Sequence, residues 1–156
     1  MTTPRDIRRL AFQVLYQLDA RGERDAEDIL NGLEGAEEYG PADRRKAFEL
    51  AQAAYGDRAR ADELMTALAP SWPVHRQAPV DRAILRLAHF EITSGRVNAK
   101  IAINEAVELA KAFSTEKSPG FVNALLDKVQ KQAGAEESPA EPQPTDETPA
   151  GGNQEL

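Results

Sequence analysis

The residues of this chain best suited to chemistry lie near its start, where Arg5, Arg8, Arg9, Phe12, Gln13 and Tyr16 fall at helical spacing. Residues three and four apart share a face of a helix, so this pattern sets two aromatic rings and an amide among guanidinium groups, with Arg8 at the edge. Single-stranded RNA calls for that mixture: cations for phosphates, flat rings on which unstacked bases rest, and an amide for base edges. The opposite face, with Ile7, Leu10, Ala11, Val14, Leu15 and Leu18, accounts for a core by itself. A second reading is equally open on spacing alone: Phe12 and Tyr16 pack beneath later helices and the arginines are merely solvated.

A second candidate lies at the start of the last helix, where Lys117, Ser118 and the amides after Pro119 favour an anion, with Phe121 nearby. There the plainer reading, in which Ser118 caps the helix and Phe121 packs, is preferred. Asp81 and Glu91 fall inside a wide apolar arc, where an unpaired carboxylate is costly. They are expected either to pair internally, with Arg76 or Arg86 as candidates, or to face a partner; for Asp81, the helix dipole is a further explanation. Ile101 beside Glu105 and Glu108 forms an acidic face with some apolar area, suited to a basic protein.

Enzyme chemistry finds little support. His75 and His89 are the two histidines, and the chain has no cysteine and none of the paired-histidine or glycine-rich phosphate motifs. His89 reads as a solvated or hydrogen-bonded residue. No metal or cofactor is expected.

The elements that position these residues are helices. Apolar residues recur at helical spacing through most of 4–132 without sustained alternation, which makes the fold class all-α. Helices are expected at about Pro4–Ala20, Ala26–Leu33, Pro41–Ala69 with a bend at Gly56, Pro79–Thr93, Asn98–Phe113 and Ser118–Gln132. Pro70, Pro73 and Pro79 make Ala69–Ala78 an irregular crossing segment. The helix at Pro79–Thr93 is apolar apart from a strip of Arg82, Arg86, His89 and Thr93, so it should be central.

Of the 26 acidic residues, six lie in 135–156, where there is no Lys or Arg; residues 1–134 therefore hold 20 acidic against 19 basic residues, a net charge of only -1 out of the chain's -7. The expected organisation is one helical domain over 1–134 and a disordered, acidic, proline-rich tail over 135–156, which has too little apolar surface to offset the entropy of ordering. No apolar run approaches the roughly 20 residues that span a bilayer, and the start has no apolar signal region. A cytoplasmic protein is the simplest reading.

Three stretches resemble the NusB family of transcription antitermination factors: Arg8 to Tyr16 (RRLAFQVLY), Ser71 to Ile92 (SWPVHRQAPVDRAILRLAHFEI) and, most specifically, Ala102 to Val129 (AINEAVELAKAFSTEKSPGFVNALLDKV). With weaker agreement around Ala61–Met65, the resemblance covers most of 5–130. It implies two helical subdomains of six or seven helices in all, and binding of the boxA element of ribosomal RNA transcripts. It also implies a heterodimer with the small-subunit ribosomal protein NusE, and assembly on RNA polymerase with other Nus factors. Carried over by position, the RNA side comprises Arg5, Arg8, Arg9, Gln13, Tyr16, Lys117 and Phe121, to which the helical face adds Phe12. For the partner side, Asp81, Ile101, Glu105 and Glu108 are the available candidates. The basic cluster is thinner than in many relatives, which leaves open a helical adaptor that binds protein and not RNA. NusB-like domains also precede the catalytic domain of certain ribosomal RNA methyltransferases; here only the tail follows, which argues against catalysis. A homodimer that hides the RNA face also stays open.

Overall fold

The computed structural model describes residues 2–22, 26–33 and 35–137. Its first helix, α1 (Pro4–Arg21), starts where the chain provides for its free amides. Thr3 accepts from the Asp6 amide at 3.1 Å while the Asp6 carboxylate accepts from the Thr3 amide at 2.9 Å, a reciprocal capping box with Pro4 at the position that needs no amide. These hydrogen bonds from Thr3 hold the Asp6 carboxyl below its usual range. The buried side of α1 is the aliphatic stripe of Leu10, Ala11, Val14, Leu15 and Leu18.

α2 (Ala26–Gly32) is short and is followed by a 3-10 turn at Ala36–Glu38. The long third helix expected over 41–69 is two helices, α3 (Pro41–Gly56) and α4 (Arg58–Leu68). At the junction the Asp57 backbone leaves regular helix (φ -87°, ψ -2°), and its carboxylate is drawn to His89, 2.9 Å away. Gly56 supplies a weak point there. Because the chain breaks, α3 can lie along α1 while α4 turns to contact α5 and α7.

A 3-10 turn at Val74–Arg76 interrupts the proline-rich crossing segment, and α5 (Pro79–Thr93), α6 (Ala99–Phe113) and α7 (Ser118–Glu137) follow. Gly95, at φ 73°, takes the left-handed conformation that closes α5. Asn98 caps α6 by accepting from the Lys100 amide at 2.9 Å. The last helix continues five residues past the expected end near Gln132, through a stretch in which Gly134 is the one weak helix former. Most of the expected tail, residues 138–156, lies outside the described residues.

α5 is the axis of the molecule, in contact with α1, α3, α4, α6 and α7. Ile84, Leu85 and Leu87 are about 1% exposed, each such side chain contributing on the order of 1.5–3 kcal/mol. The fold is all-α among the described residues, with the first four helices packed against the last three.

Candidate nucleic-acid interface

One helical turn of α1 separates its arginines into two kinds. Arg8 points inward: its Nε donates to both oxygens of Glu91 at 3.0 and 3.1 Å, Nη2 donates to the same carboxylate at 2.9 Å, and Nη1 reaches Glu105 at 3.5 Å. Arg8 is 8% exposed and Glu91 3%. Arg8 is therefore removed from the expected RNA face: its donors are committed to a buried carboxylate that would otherwise be unpaired. The expected internal pairing of Glu91 is met, by Arg8 and not by Arg76 or Arg86.

Arg5 is exposed, yet it too has a carboxylate, with Nε and Nη2 donating to Glu105 at 3.0 and 2.7 Å. The hydrogen bond from Arg5 holds the Glu105 carboxyl below its ordinary value, against the opposing effect of burial. Two residues expected on separate surfaces, Arg5 toward RNA and Glu105 toward a protein, thus hold each other. Arg9 differs: its guanidinium carbon sits 4.9 Å from the Phe113 ring centroid, and although it shares a pocket with Glu105 and Glu108 and its charge helps to lower the Asp6 carboxyl, it closes no ion pair among the described residues. It keeps its donors for a ligand while the ring fixes its position.

Beside Arg9 a groove of about 280 Å³ opens between α1, the end of α2 and the α5–α6 side, lined by Phe12, Gln13, Tyr16, Gln17, Leu33, Val80 and Phe113. Phe12 is 3% exposed and packs on Phe113 with ring centroids 5.2 Å apart. It is a core residue beneath the groove, not an outward-facing one; the reading in which Phe12 packs under the C-terminal helices is the one realised. Tyr16 is half-buried, with Gln13 and Gln17 beside it. The groove so combines an apolar aromatic floor with two side-chain amides, and it shares Phe113 with the neighbouring pocket that Arg9 lines.

Lys117 and Phe121 do not line this groove. Lys117, exposed, is the last residue of the α6–α7 turn, and Phe121, half-buried, lies in the first turn of α7 with its ring centroid 6.2 Å from that of Trp72. Between them and the groove is Asp81, which accepts from the hydroxyls of Ser114 at 2.6 Å and Ser118 at 3.0 Å. Asp81 is 7% exposed, so its expected place on a partner surface is withdrawn. The Ser118 hydroxyl is engaged with Asp81, Ser114 and Thr115 and does not cap α7 as expected. The anion at this helix start is the protein's own carboxylate, in the first turn of α5 and against the start of α7, where both helix dipoles favour it.

The polar strip of α5 also turns inward. Arg82 donates to Asp19 at 3.0 and 2.6 Å, and Arg86 joins Asp19 at 3.1 Å to Asp62 at 2.9 and 2.6 Å. Burial pushes the Asp19 carboxyl up, but the hydrogen bonds and charges of the two arginines outweigh it and leave it below the usual range. His89, 2% exposed, pairs with Asp57; burial lowers its pKa below the ordinary 6.5 despite the attraction of that carboxylate. It is a hydrogen-bonded structural residue. Among the described residues no group of three or more His, Asp or Glu could hold a metal ion, and no helix is long and apolar enough to cross a membrane.

Of the acidic face on α6, Ile101 is 54% exposed and Glu108 lies at the surface, 3.3 Å from Lys111. Sequence reasoning missed Phe113 and Val80 as groove residues, because both belong to apolar arcs that read as core. Gln17 was missed as well, although its place one turn after Gln13 is a signal that could have found it.

The family model described as the NusB family matches residues 5–131. The transcription antitermination protein NusB of Saccharopolyspora erythraea is 41% identical over 124 residues, 78% of this chain and 82% of that one. Among solved structures, NusB of T. maritima superposes with a TM-score of 0.74 at 32% identity, covering 85% of this chain and 94% of that one. A chain from the crystal structure of antitermination factors NusB and NusE in complex with double-stranded RNA gives a TM-score of 0.70 at 23% identity, over 82% of this chain and 96% of that one, a likeness of fold.

Proposed function

The chain belongs to the NusB family, and from that premise we propose that it is a non-enzymatic antitermination factor that binds boxA-like single-stranded RNA of ribosomal transcripts together with the ribosomal protein NusE, within a Nus-factor assembly on RNA polymerase. The observation that carries this reading is the groove beside α1, with Tyr16 over an aromatic floor, the Gln13 and Gln17 amides, and Arg9 fixed on Phe113. A base resting on Tyr16 exchanges water for an aromatic face, the amides meet its edge, and Arg9 takes a phosphate. Lys117 and Phe121 extend the site beyond the α6–α7 turn. Arg5 joins only by exchanging Glu105 for a phosphate, so it contributes less than Arg9. The proposed partnership with NusE is supported by the solved complex in which a protein of similar fold stands with NusE and double-stranded RNA.

The geometry also supports dependence on the partner. Arg5 and Arg8 are held by carboxylates, which leaves a thin positive track on a near-neutral body, and a basic ribosomal protein alongside would lengthen it. With Asp81 and Glu105 occupied internally, the partner surface we propose is the exposed part of α6 around Ile101 and Glu108. Residues 1–134 are the binding domain in this reading, with α7 running on to Glu137. The test is fluorescence anisotropy of a labelled boxA-like RNA against a scrambled one, with and without NusE. Selective binding that NusE strengthens supports the reading. Equal affinity for both RNAs in the presence of NusE sinks the boxA assignment, and NusE binding with no RNA binding at all makes the chain a protein adaptor.

A further inference from the structure

Trp72 is the chain's one tryptophan, and it stands 45% exposed in the crossing segment between α4 and α5. A lone exposed apolar side chain needs no explanation, but this one is held and accompanied. Its amide donates to the Ala69 carbonyl at 3.0 Å, and its own carbonyl accepts from Gln77 Nε2 at 3.3 Å, Gln77 being 4% exposed. The indole is thus presented to solvent from a fixed backbone. Phe121 meets it at 64° between ring planes, and the Arg76 guanidinium carbon lies 5.9 Å from the ring centroid.

Charge around this ring runs against the chain's overall sign. Residues 66–80 contain no Asp or Glu, nor do residues 117–126, whereas Arg76, Lys117 and Lys128 lie within these stretches or just after them. Lys128 reaches the Leu68 carbonyl at 3.3 Å, which places its cation beside the start of the same segment. The nearest acid in the following turn, Asp127, is paired with Lys131 at 3.0 Å. The patch is also joined to the first groove: the crossing segment that carries Trp72 leads into α5, whose second residue, Val80, lines the groove, and the turn at 114–117 leads from Phe113 to α7 and Phe121.

We propose that Trp72, with Arg76 and Phe121, is a second stacking platform for single-stranded RNA, on which one base rests against the exposed indole face while Arg76 and Lys117 take the adjoining phosphates. This rests on the RNA-binding reading above and extends its track past the α6–α7 turn. An exposed indole with a cation beside it is suited to any base, because every base has a π face, so this platform lengthens the bound segment without choosing its sequence.

Because Trp72 is the only indole, its fluorescence reports on this site alone. The full chain with NusE is titrated with a labelled boxA-like RNA while anisotropy and tryptophan emission are read from the chain's own indole, using a NusE preparation whose tryptophan signal is subtracted. Emission should be quenched in step with the rise in anisotropy. Trp72→Ala should weaken RNA binding by about 5- to 150-fold, the equivalent of one stacked base, whereas Trp72→Phe should recover most of the affinity, with both variants matching the parent in helical content. Saturating anisotropy with unchanged emission, and parental affinity in Trp72→Ala, would overturn this platform and leave the groove beside α1 intact. Quenching by NusE alone would give the indole to the protein partner and overturn it too. Absence of any anisotropy change in the parent would instead end the RNA reading on which the platform rests.

Discussion

Arg8 and Arg9 are neighbours in sequence and opposite in fate. Arg8 belongs to the seam where the first four helices meet the last three, together with Arg82, Arg86 and His89, and each of these groups faces a carboxylate from another element. Arg9 belongs to the surface beside the groove, seated on Phe113 and closing no ion pair among the described residues. The seam teaches that a buried cation on this fold is a joint between elements, and the surface that a cation is left for a ligand where no acid comes close enough to pair with it.

The largest break in this comparison should come from Arg8→Ala, which strands the Glu91 carboxylate in the interior. We expect a loss of about 3–5 kcal/mol in stability by denaturant unfolding. The double change Arg8→Met with Glu91→Leu should restore most of it, since an apolar pair of similar volume needs no counter-charge. A wild-type midpoint for Arg8→Ala would show that Glu91 is already solvated. Next in size is Asp81→Ala, which removes the acceptor shared by the Ser114 and Ser118 hydroxyls at the helix junction. It should cost about 1–3 kcal/mol and should leave NusE affinity of the folded protein unchanged when followed by calorimetry; a weakened heterodimer with intact stability would return Asp81 to the partner surface.

On the surface side, Arg9→Ala should change stability by no more than about 1 kcal/mol, the scale of an exposed cation over a ring. Its signature is instead in RNA binding, where the slope of log affinity against log salt should fall by about 0.7. An unaltered slope would move the phosphate contact elsewhere. The smallest effect should be on pH dependence. Because burial sets the folded pKa of His89 below the unfolded 6.5, the unfolded chain takes up a proton first as pH falls. The stability tied to His89 is then complete above about pH 6.5 and drains away between there and the lower folded value. Asp57 opposes this shift and Arg60 adds to it. Comparing thermal midpoints at about pH 7.5 and about pH 5.5, the acid-induced drop should be smaller in His89→Gln than in the parent; equal drops would assign the titration to other groups.

Much of the architecture could be read from residue order. Helix starts at Pro4, Pro41 and Pro79, the end at Ser94–Gly95, and the centrality of Pro79–Thr93 all follow from local backbone chemistry and apolar periodicity, which act within a few residues and so are written locally. The all-α fold and the family likewise rest on pattern along the chain. The interruption expected at Gly56 is where α3 ends, but the pairing of Asp57 with His89, 32 positions away, was not legible. Nor was the division of labour among the candidate site residues. Spacing put Arg5 and Arg9 on one basic face with Arg8 at its edge, and left Asp81 and Glu105, on two different helices, as candidates for a partner surface, since helical periodicity records direction around an axis and nothing about what stands opposite. Only tertiary packing, by bringing Glu91 to Arg8, Glu105 to Arg5, and Ser114 and Ser118 to Asp81, decided which charges are neutralised inside the protein and left Arg9 and the Tyr16 groove free for a ligand.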